Sequence, residues 1–114
     1  MRAEALKGHL DGLLLAVLEA GPAHGYAVIE ALRAGSGGTF DLPTGTVYPA
    51  LRRLEGGGLV RSAWQEVVGE RRRRVYELTA KGRKVLGAQR EDWRKFSGAV
   101  DAVMTGGRSW MPAT

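Results

Sequence analysis

Three runs of apolar residues at helical spacing occupy the first half of the chain. In the first run, over about residues 9–20, apolar side chains recur at i, i+3, i+4, i+7 and i+8, which predicts an amphipathic helix. The second run predicts a shorter helix over about residues 24–34, and the third predicts a helix that begins after Pro43. Gly-Pro or glycine-rich segments follow the three runs and end the helices.

The third helix has an apolar side and a polar side. Its apolar side chains should face the core; they are Val47, Leu51 and Leu54. Its polar side chains should face mostly outward; they are Thr46, Arg52 and Arg53. Pro49 is tolerated if Thr44 or Thr46 is the N-cap, because the proline then lies in or just beyond the first turn.

The second half of the chain predicts a β-hairpin and one long helix. Leu59–Gln65 and Arg72–Leu78 are typical of antiparallel strands joined by a turn that contains a glycine. Thr79 is the expected N-cap of a last helix that runs to about Met104. Three helices followed by a hairpin are the parts of a winged helix-turn-helix, so the expected fold class is α+β, mostly α.

The last helix carries a heptad-like seam of mostly apolar residues. Spacings of 3, 4, 3, 4 and 3 join Leu86, Gln89, Trp93, Phe96, Val100 and Val103. The preceding domain is too small to cover the whole seam, so we expect a homodimer; the alternative is that the helix folds back over the first helix of its own chain. The expected organisation is a winged-helix domain (1–78), a dimerisation helix (79–104) and a flexible tail (105–114).

Positive charge is concentrated in the middle of the chain. The net charge of the whole chain is +5, whereas residues 52–84 alone carry +6 and residues 1–51 carry −2. Such a block is typical of a surface that binds polyphosphate; a solvated basic face without a partner is the alternative.

Several classes of protein are disfavoured by composition. The absence of cysteine excludes disulfides and thiolate ligands, and two histidines are too few for an ordinary zinc site, so no metal or other cofactor is expected. No catalytic constellation of Ser, His and Asp is recognisable, so we expect no enzyme. An apolar run of about 18 residues and a secretory signal are both missing, which predicts a soluble intracellular protein without membrane contact.

The start of the third helix supplies candidate DNA contacts. Thr44 and Thr46 offer hydroxyls near the positive end of the helix dipole, and Arg52 and Arg53 follow further along the helix. Tyr48 either faces the groove or packs in the core.

The predicted wing and the second helix supply further candidates. Alternate side chains of a strand leave on opposite faces, so two of the successive arginines can face DNA while their neighbours face away; we name Arg71, Arg72 and Arg73. Charge that protects an edge strand is the alternative. His24 either caps the second helix or touches phosphate, and Tyr26 either packs under the helix or presents its hydroxyl to the DNA backbone.

Three motifs together resemble the PadR family of bacterial transcriptional regulators: HGY at 24–26, GTVYPALRRLE at 45–55 and YELTAKG at 76–82. The resemblance runs from about residue 9 to 104. It implies a winged-helix homodimer held by the last helix, located in the bacterial cytoplasm on the nucleoid, and usually a repressor that a small molecule releases from its operator. It also implies that Tyr26, Thr46, Tyr48 and the wing arginines contact DNA.

The resemblance also raises the question of an effector. Some members of this size bind planar aromatic or cationic compounds between the subunits, beside an aromatic residue of the last helix. Trp93 and Phe96 occupy that place here; they either line such a pocket or simply pack in the dimer core. The function expected is a sequence-specific repressor on an inverted repeat, and the alternative is a winged helix that contacts an acidic protein.

Overall fold

The computed structural model describes residues 6, 8–66, 69, 72–107 and 112. In chain order its elements are α1 (Leu10–Glu19), β1 (Ala23–His24), α2 (Gly25–Gly35), α3 (Thr44–Gly56), β2 (Val60–Glu66), β3 (Arg72–Leu78) and α4 (Ala80–Thr105). The predicted succession of three helices, a hairpin and a long last helix is confirmed. The predicted tail lies mostly outside the described residues, and Thr105 is the last residue of α4.

The strand β1 is the one element that the sequence pattern did not indicate, because two residues are too few for alternation to show. β1 pairs antiparallel with β3, with Ala23 opposite Tyr76 and His24 opposite Val75. The sheet order is β1-β3-β2. β3 is therefore the central strand, and it joins the wing directly to the start of α2.

The core lies between the first three helices and one face of the sheet. Its most deeply buried side chains are Leu14, Leu15, Leu18, Val28, Val47, Leu51 and Val60. The predicted inward side of α3 is confirmed, because Val47, Leu51 and Leu54 are at most 2% exposed. No helix in the described part of the chain is both long and apolar enough to cross a membrane.

The start of α3 differs from the prediction. Pro43 occupies the N-cap position with extended backbone (φ −78°, ψ 161°), so the predicted threonine N-cap is wrong. The Pro43 carbonyl accepts hydrogen bonds from the N–H groups of Thr46 and Val47, at 3.0 and 3.2 Å. Pro49 consequently lies inside the helix, where its missing N–H removes one backbone hydrogen bond while the helix continues to Gly56.

The first turn of α4 packs against the segment that joins α3 to β2. Thr79 is the N-cap, as predicted: its hydroxyl oxygen accepts from the Gly82 N–H at 3.0 Å, and the hydroxyl lies 2.7 Å from the Gly58 carbonyl oxygen. Gly82 approaches so closely that a Cβ there would lie 2.0 Å from the carbonyl oxygen of Leu59. Only a residue without a side chain fits at this junction.

Only the first part of α4 belongs to the core of its own domain. Leu86 is 2% exposed and packs in that core, so its assignment to the seam is corrected: its own domain already covers it. Arg90 donates two hydrogen bonds to the Glu19 carboxylate, at 2.9 and 2.7 Å, which ties α4 to the end of α1 and lowers the pKa of Glu19. Beyond Arg90 the helix projects from the domain, and the molecule is therefore elongated, measuring 71 × 28 × 21 Å.

Replacement of Gly82 by alanine should therefore loosen the junction. The added Cβ would overlap the backbone of Leu59, which cannot move aside as a flexible side chain can. We therefore expect the free energy of unfolding to fall by about 1–3 kcal/mol. Gly87 is the matched control: it lies in the same helix with nothing within 4 Å of its Cβ position. Gly87→Ala should be neutral or raise stability by up to about 1 kcal/mol through helix propensity. Urea denaturation measures both; equal effects would contradict the packing assigned to Gly82.

Candidate nucleic-acid interface

A cleft opens where the N-terminus of α2, the outer side of α3 and the strand β3 meet. It is lined by His24, Gly25, Tyr26, Tyr48, Arg52, Arg73, Arg74 and Tyr76. Three of these residues are arginines, three are tyrosines and none is acidic. Guanidinium and phenol groups donate hydrogen bonds to phosphate and to base edges, so the chemistry of the cleft suits a polyanion.

Tyr48 is held in the cleft by its contact with Gly25. A Cβ at position 25 would lie 1.8 Å from Cε1 of the Tyr48 ring, so the ring rests directly on the α2 backbone. Tyr48 is half-buried against the core and at the same time lines the cleft, and both alternatives considered for it therefore hold in part. The close approach requires glycine within the HGY motif.

The other two tyrosines differ in exposure. Tyr26 is 57% exposed and lines the cleft, which excludes the alternative that it packs under α2. Tyr76 is 4% exposed, and burial raises the pKa of its hydroxyl. A phenol is neutral at physiological pH, so the Tyr76 hydroxyl carries a proton that can be donated in a hydrogen bond.

His24 caps α2 and also reaches Arg73. Its Nδ1 accepts from the Ala27 N–H at 3.2 Å, which confirms the capping interpretation, and its Nε2 lies 3.0 Å from Nη1 of Arg73. A neutral imidazole has one acceptor nitrogen, and the cap uses it, so Nε2 carries a hydrogen that faces a second donor.

The two arginines of α3 point in different directions. Arg52 lines the cleft, whereas Arg53 donates two hydrogen bonds to the Asp11 carboxylate of α1, both at 2.8 Å. These hydrogen bonds raise the pKa of Arg53. Successive helical residues are about 100° apart, so a neighbour of Arg52 turns away from the cleft towards α1. Arg53 thus does not line the cleft, and its exposed guanidinium pairs with Asp11 instead.

The wing arginines alternate between two faces. The register places Trp64 opposite Arg74 and Glu66 opposite Arg72, on the face that continues the core side of the sheet. Arg73 lies opposite Gln65 on the other face, and Arg71 lies outside the described residues. Arg72 and Arg74 therefore share a face; Arg72 does not line the cleft, and the contact of the wing arginines with DNA stays a prediction.

Arg74 and Tyr76 were missed as site residues. The signal was present in the alternation of β3, because Arg74 is in phase with the apolar residues Tyr76 and Leu78. Thr44 is exposed at the first turn of α3 and Thr46 is half-buried. Neither threonine lines the cleft, so their contact with DNA stays a prediction.

The seam residues of α4 form a second surface, separate from the residues that line the cleft. Trp93, Phe96, Val100 and Val103 are between 42% and 59% exposed. Trp93 also stacks edge-on with His9, at 5.3 Å between ring centroids, and lies 6.0 Å from Phe96. A stripe of large apolar side chains on a projecting helix is typical of an interaction surface.

The chain is similar to several known proteins. The Transcriptional regulator PadR-like family matches residues 14–88. A transcriptional regulator from Clostridium thermocellum superposes with a TM-score of 0.79 at 25% identity, over 87% of this chain and 96% of that one. A PadR family regulator from Eggerthella lenta gives a TM-score of 0.76 at 32% identity, over 90% and 87%. The 37.1 kDa protein in transposon TN4556 of Streptomyces fradiae is 38% identical over 88 residues, which are 77% of this chain and 24% of that longer protein.

The fold and the basic cleft define a winged helix-turn-helix protein of the DNA-binding class. The chain belongs to the PadR-like family and is a transcriptional regulator of that type.

The contact between Gly25 and Tyr48 can be tested without DNA. Gly25→Ala should push the Tyr48 ring away from α2 and lower stability by about 1–3 kcal/mol, as over-packing does. Gly35→Ala, at the other end of α2 with nothing near its Cβ position, is the control and should be tolerated. Thermal unfolding gives the stability, and the ring NMR signals of Tyr48 should shift only in Gly25→Ala. Unmoved ring signals in that variant would contradict the contact.

Proposed function

We propose that the chain is a homodimeric repressor that binds an inverted repeat in double-stranded DNA through its two clefts. The observation that carries this proposal is the cleft itself: three arginines and three tyrosines without an acidic residue, on the outer side of α3. α3 would enter the major groove, where its side chains reach base edges, and the wing would lie along the flanking backbone.

The dimer is proposed from the exposed seam of α4. Trp93, Phe96, Val100 and Val103 follow heptad-like spacing on a helix that projects beyond its own domain. A second copy packed on the same surface would bury these side chains by two-fold symmetry. We expect two clefts related in this way to bind two half-sites that lie about one helical turn, roughly 34 Å, apart or slightly more.

Repression and its release are further parts of the proposal. A dimer bound across a promoter would occupy the phosphates that the polymerase needs. A planar aromatic effector between the subunits, beside Trp93 and Phe96, would change the angle between the two α4 helices. Because α4 is fixed to its own domain at Leu86 and Arg90, that change would alter the distance between the two clefts. Thermal stabilisation of the dimer by an added planar aromatic compound, absent in Trp93→Ala, is the measurement that supports this part.

Arg52 and Arg53 provide a matched pair for testing the DNA interface. Arg52→Ala should weaken binding to a palindromic duplex about tenfold or more and should flatten the salt dependence, because the variant loses a contact in each half-site. Arg53→Ala should change affinity by less than about twofold, because Asp11 holds that guanidinium away from the cleft. Fluorescence anisotropy at several salt concentrations measures both quantities. Equal losses in the two variants would exclude the proposed orientation of α3.

The same titration separates DNA binding from the alternative of an acidic protein partner. Binding to duplex DNA should weaken steeply with salt, by a slope of about −0.9 for each phosphate neutralised. No duplex affinity at low salt would exclude DNA binding and leave the protein-contact function in its place.

Two single substitutions test the seam, each of which introduces one carboxylate on a different side of α4. Val100→Glu would place a charge in the proposed dimer contact, and we expect it to yield monomers at micromolar concentration. Ala102→Glu, two residues further along the helix and off the seam, should remain dimeric. Analytical ultracentrifugation reports the mass of each variant. A dimeric Val100→Glu protein would show that subunits associate through another surface.

A further inference from the structure

Trp64 is a large aromatic residue that the DNA-facing cleft does not use. It lies in the middle of β2, its side chain is 57% exposed, and it stands on the face of the wing that continues the core side of the sheet. Because the Trp64 side chain is exposed, it does not contribute to the packing of the hydrophobic core. Its contacts therefore indicate what it does.

Two guanidinium groups lie against the ring of Trp64. Cζ of Arg74 is 5.0 Å and Cζ of Arg72 is 5.5 Å from the ring centroid. Both distances are within the range of cation–π attraction. The two arginines are two residues apart on the same face of β3 and repel each other; the electron-rich ring attracts both and holds them in place.

One of these arginines is also joined to the recognition helix. Nε of Arg74 donates to the Ser62 hydroxyl at 2.9 Å. The Ser62 hydroxyl in turn donates to Oε2 of Glu55 at 2.6 Å, and the Ser62 N–H reaches the same oxygen at 3.1 Å. Glu55 lies in the last turn of α3, so side-chain contacts run without a break from α3 through Ser62 and Arg74 to Trp64 and Arg72.

We propose that Trp64 is a positioning residue for DNA binding, which together with Ser62 and Glu55 holds the wing arginines Arg72 and Arg74 at a fixed place relative to α3. Without the ring, both guanidinium groups would be mobile in the free protein and would have to be ordered when DNA binds. This inference rests on the proposed DNA-binding function and assigns to the wing a rigid orientation rather than a flexible one.

Three variants separate the aromatic face from the bulk of the side chain. Trp64→Leu keeps an apolar residue in the strand but has no π face, and we expect about a threefold to tenfold loss of duplex affinity. The salt dependence of binding should become shallower in the same variant. Trp64→Phe restores an aromatic face and should stay within about twofold of the wild type. Gln65→Ala, on the opposite face of the same strand, is the control and should not change affinity.

A second readout uses the free protein. In Trp64→Leu and in Ser62→Ala, the NMR signal of the Arg74 Nε–H should lose its protection from solvent exchange, whereas Gln65→Ala leaves it unchanged. Thermal unfolding should be similar in all variants, because the side chains concerned are outside the core.

The outcomes distinguish this inference from the proposed function. Wild-type affinity and an unchanged Arg74 signal in Trp64→Leu would overturn the positioning role, while DNA binding by the wild type would still stand. A wild-type protein that does not bind duplex DNA at low salt would overturn the proposed function, and the positioning role with it. Equal losses in Trp64→Leu and Trp64→Phe would show that the ring face is not what matters.

Discussion

The contact of the Tyr48 ring with the backbone of Gly25 is the constraint that shapes the basic cleft. It sets the distance between the start of α2 and the first turns of α3, because a side chain at position 25 would overlap the ring. The same start of α2 pairs with β3 through β1, and His24 reaches Arg73 there. The start of α2, the first turns of α3 and the strand β3 thus meet at one point, and the cleft lies between them.

The opposite side of the molecule is held by charge pairs made from α1. Asp11 binds Arg53 of α3, and Glu19 binds Arg90 of α4, each through two hydrogen bonds. These pairs are exposed, so each contributes little to stability on its own. Their effect is geometric: they fix α1 to α3 through Asp11 and to α4 through Glu19. The cleft and the seam are therefore connected through packed elements of one domain.

Much of this architecture could be predicted from the sequence, because the apolar periodicity of α1 to α3 and the Thr79 cap depend on neighbours within a few residues. Interactions between distant segments could not be predicted. Arg53 is exposed, as expected, but its guanidinium pairs with Asp11, 42 positions earlier in the chain, and does not line the cleft. Leu86 has the spacing of a seam residue, but its side chain is buried in the core of its own domain. β1 is created by pairing with β3 and has no pattern of its own.

We propose that DNA lies in the cleft formed by α2, α3 and β3. The most direct measurement is a crystal structure of the dimer with a duplex recovered from its own genome. We expect one cleft in each half-site, with phosphate or base atoms within hydrogen-bond distance of Tyr26, Arg52 and Arg74. A duplex bound to another surface, with the cleft occupied by solvent alone, would contradict the account.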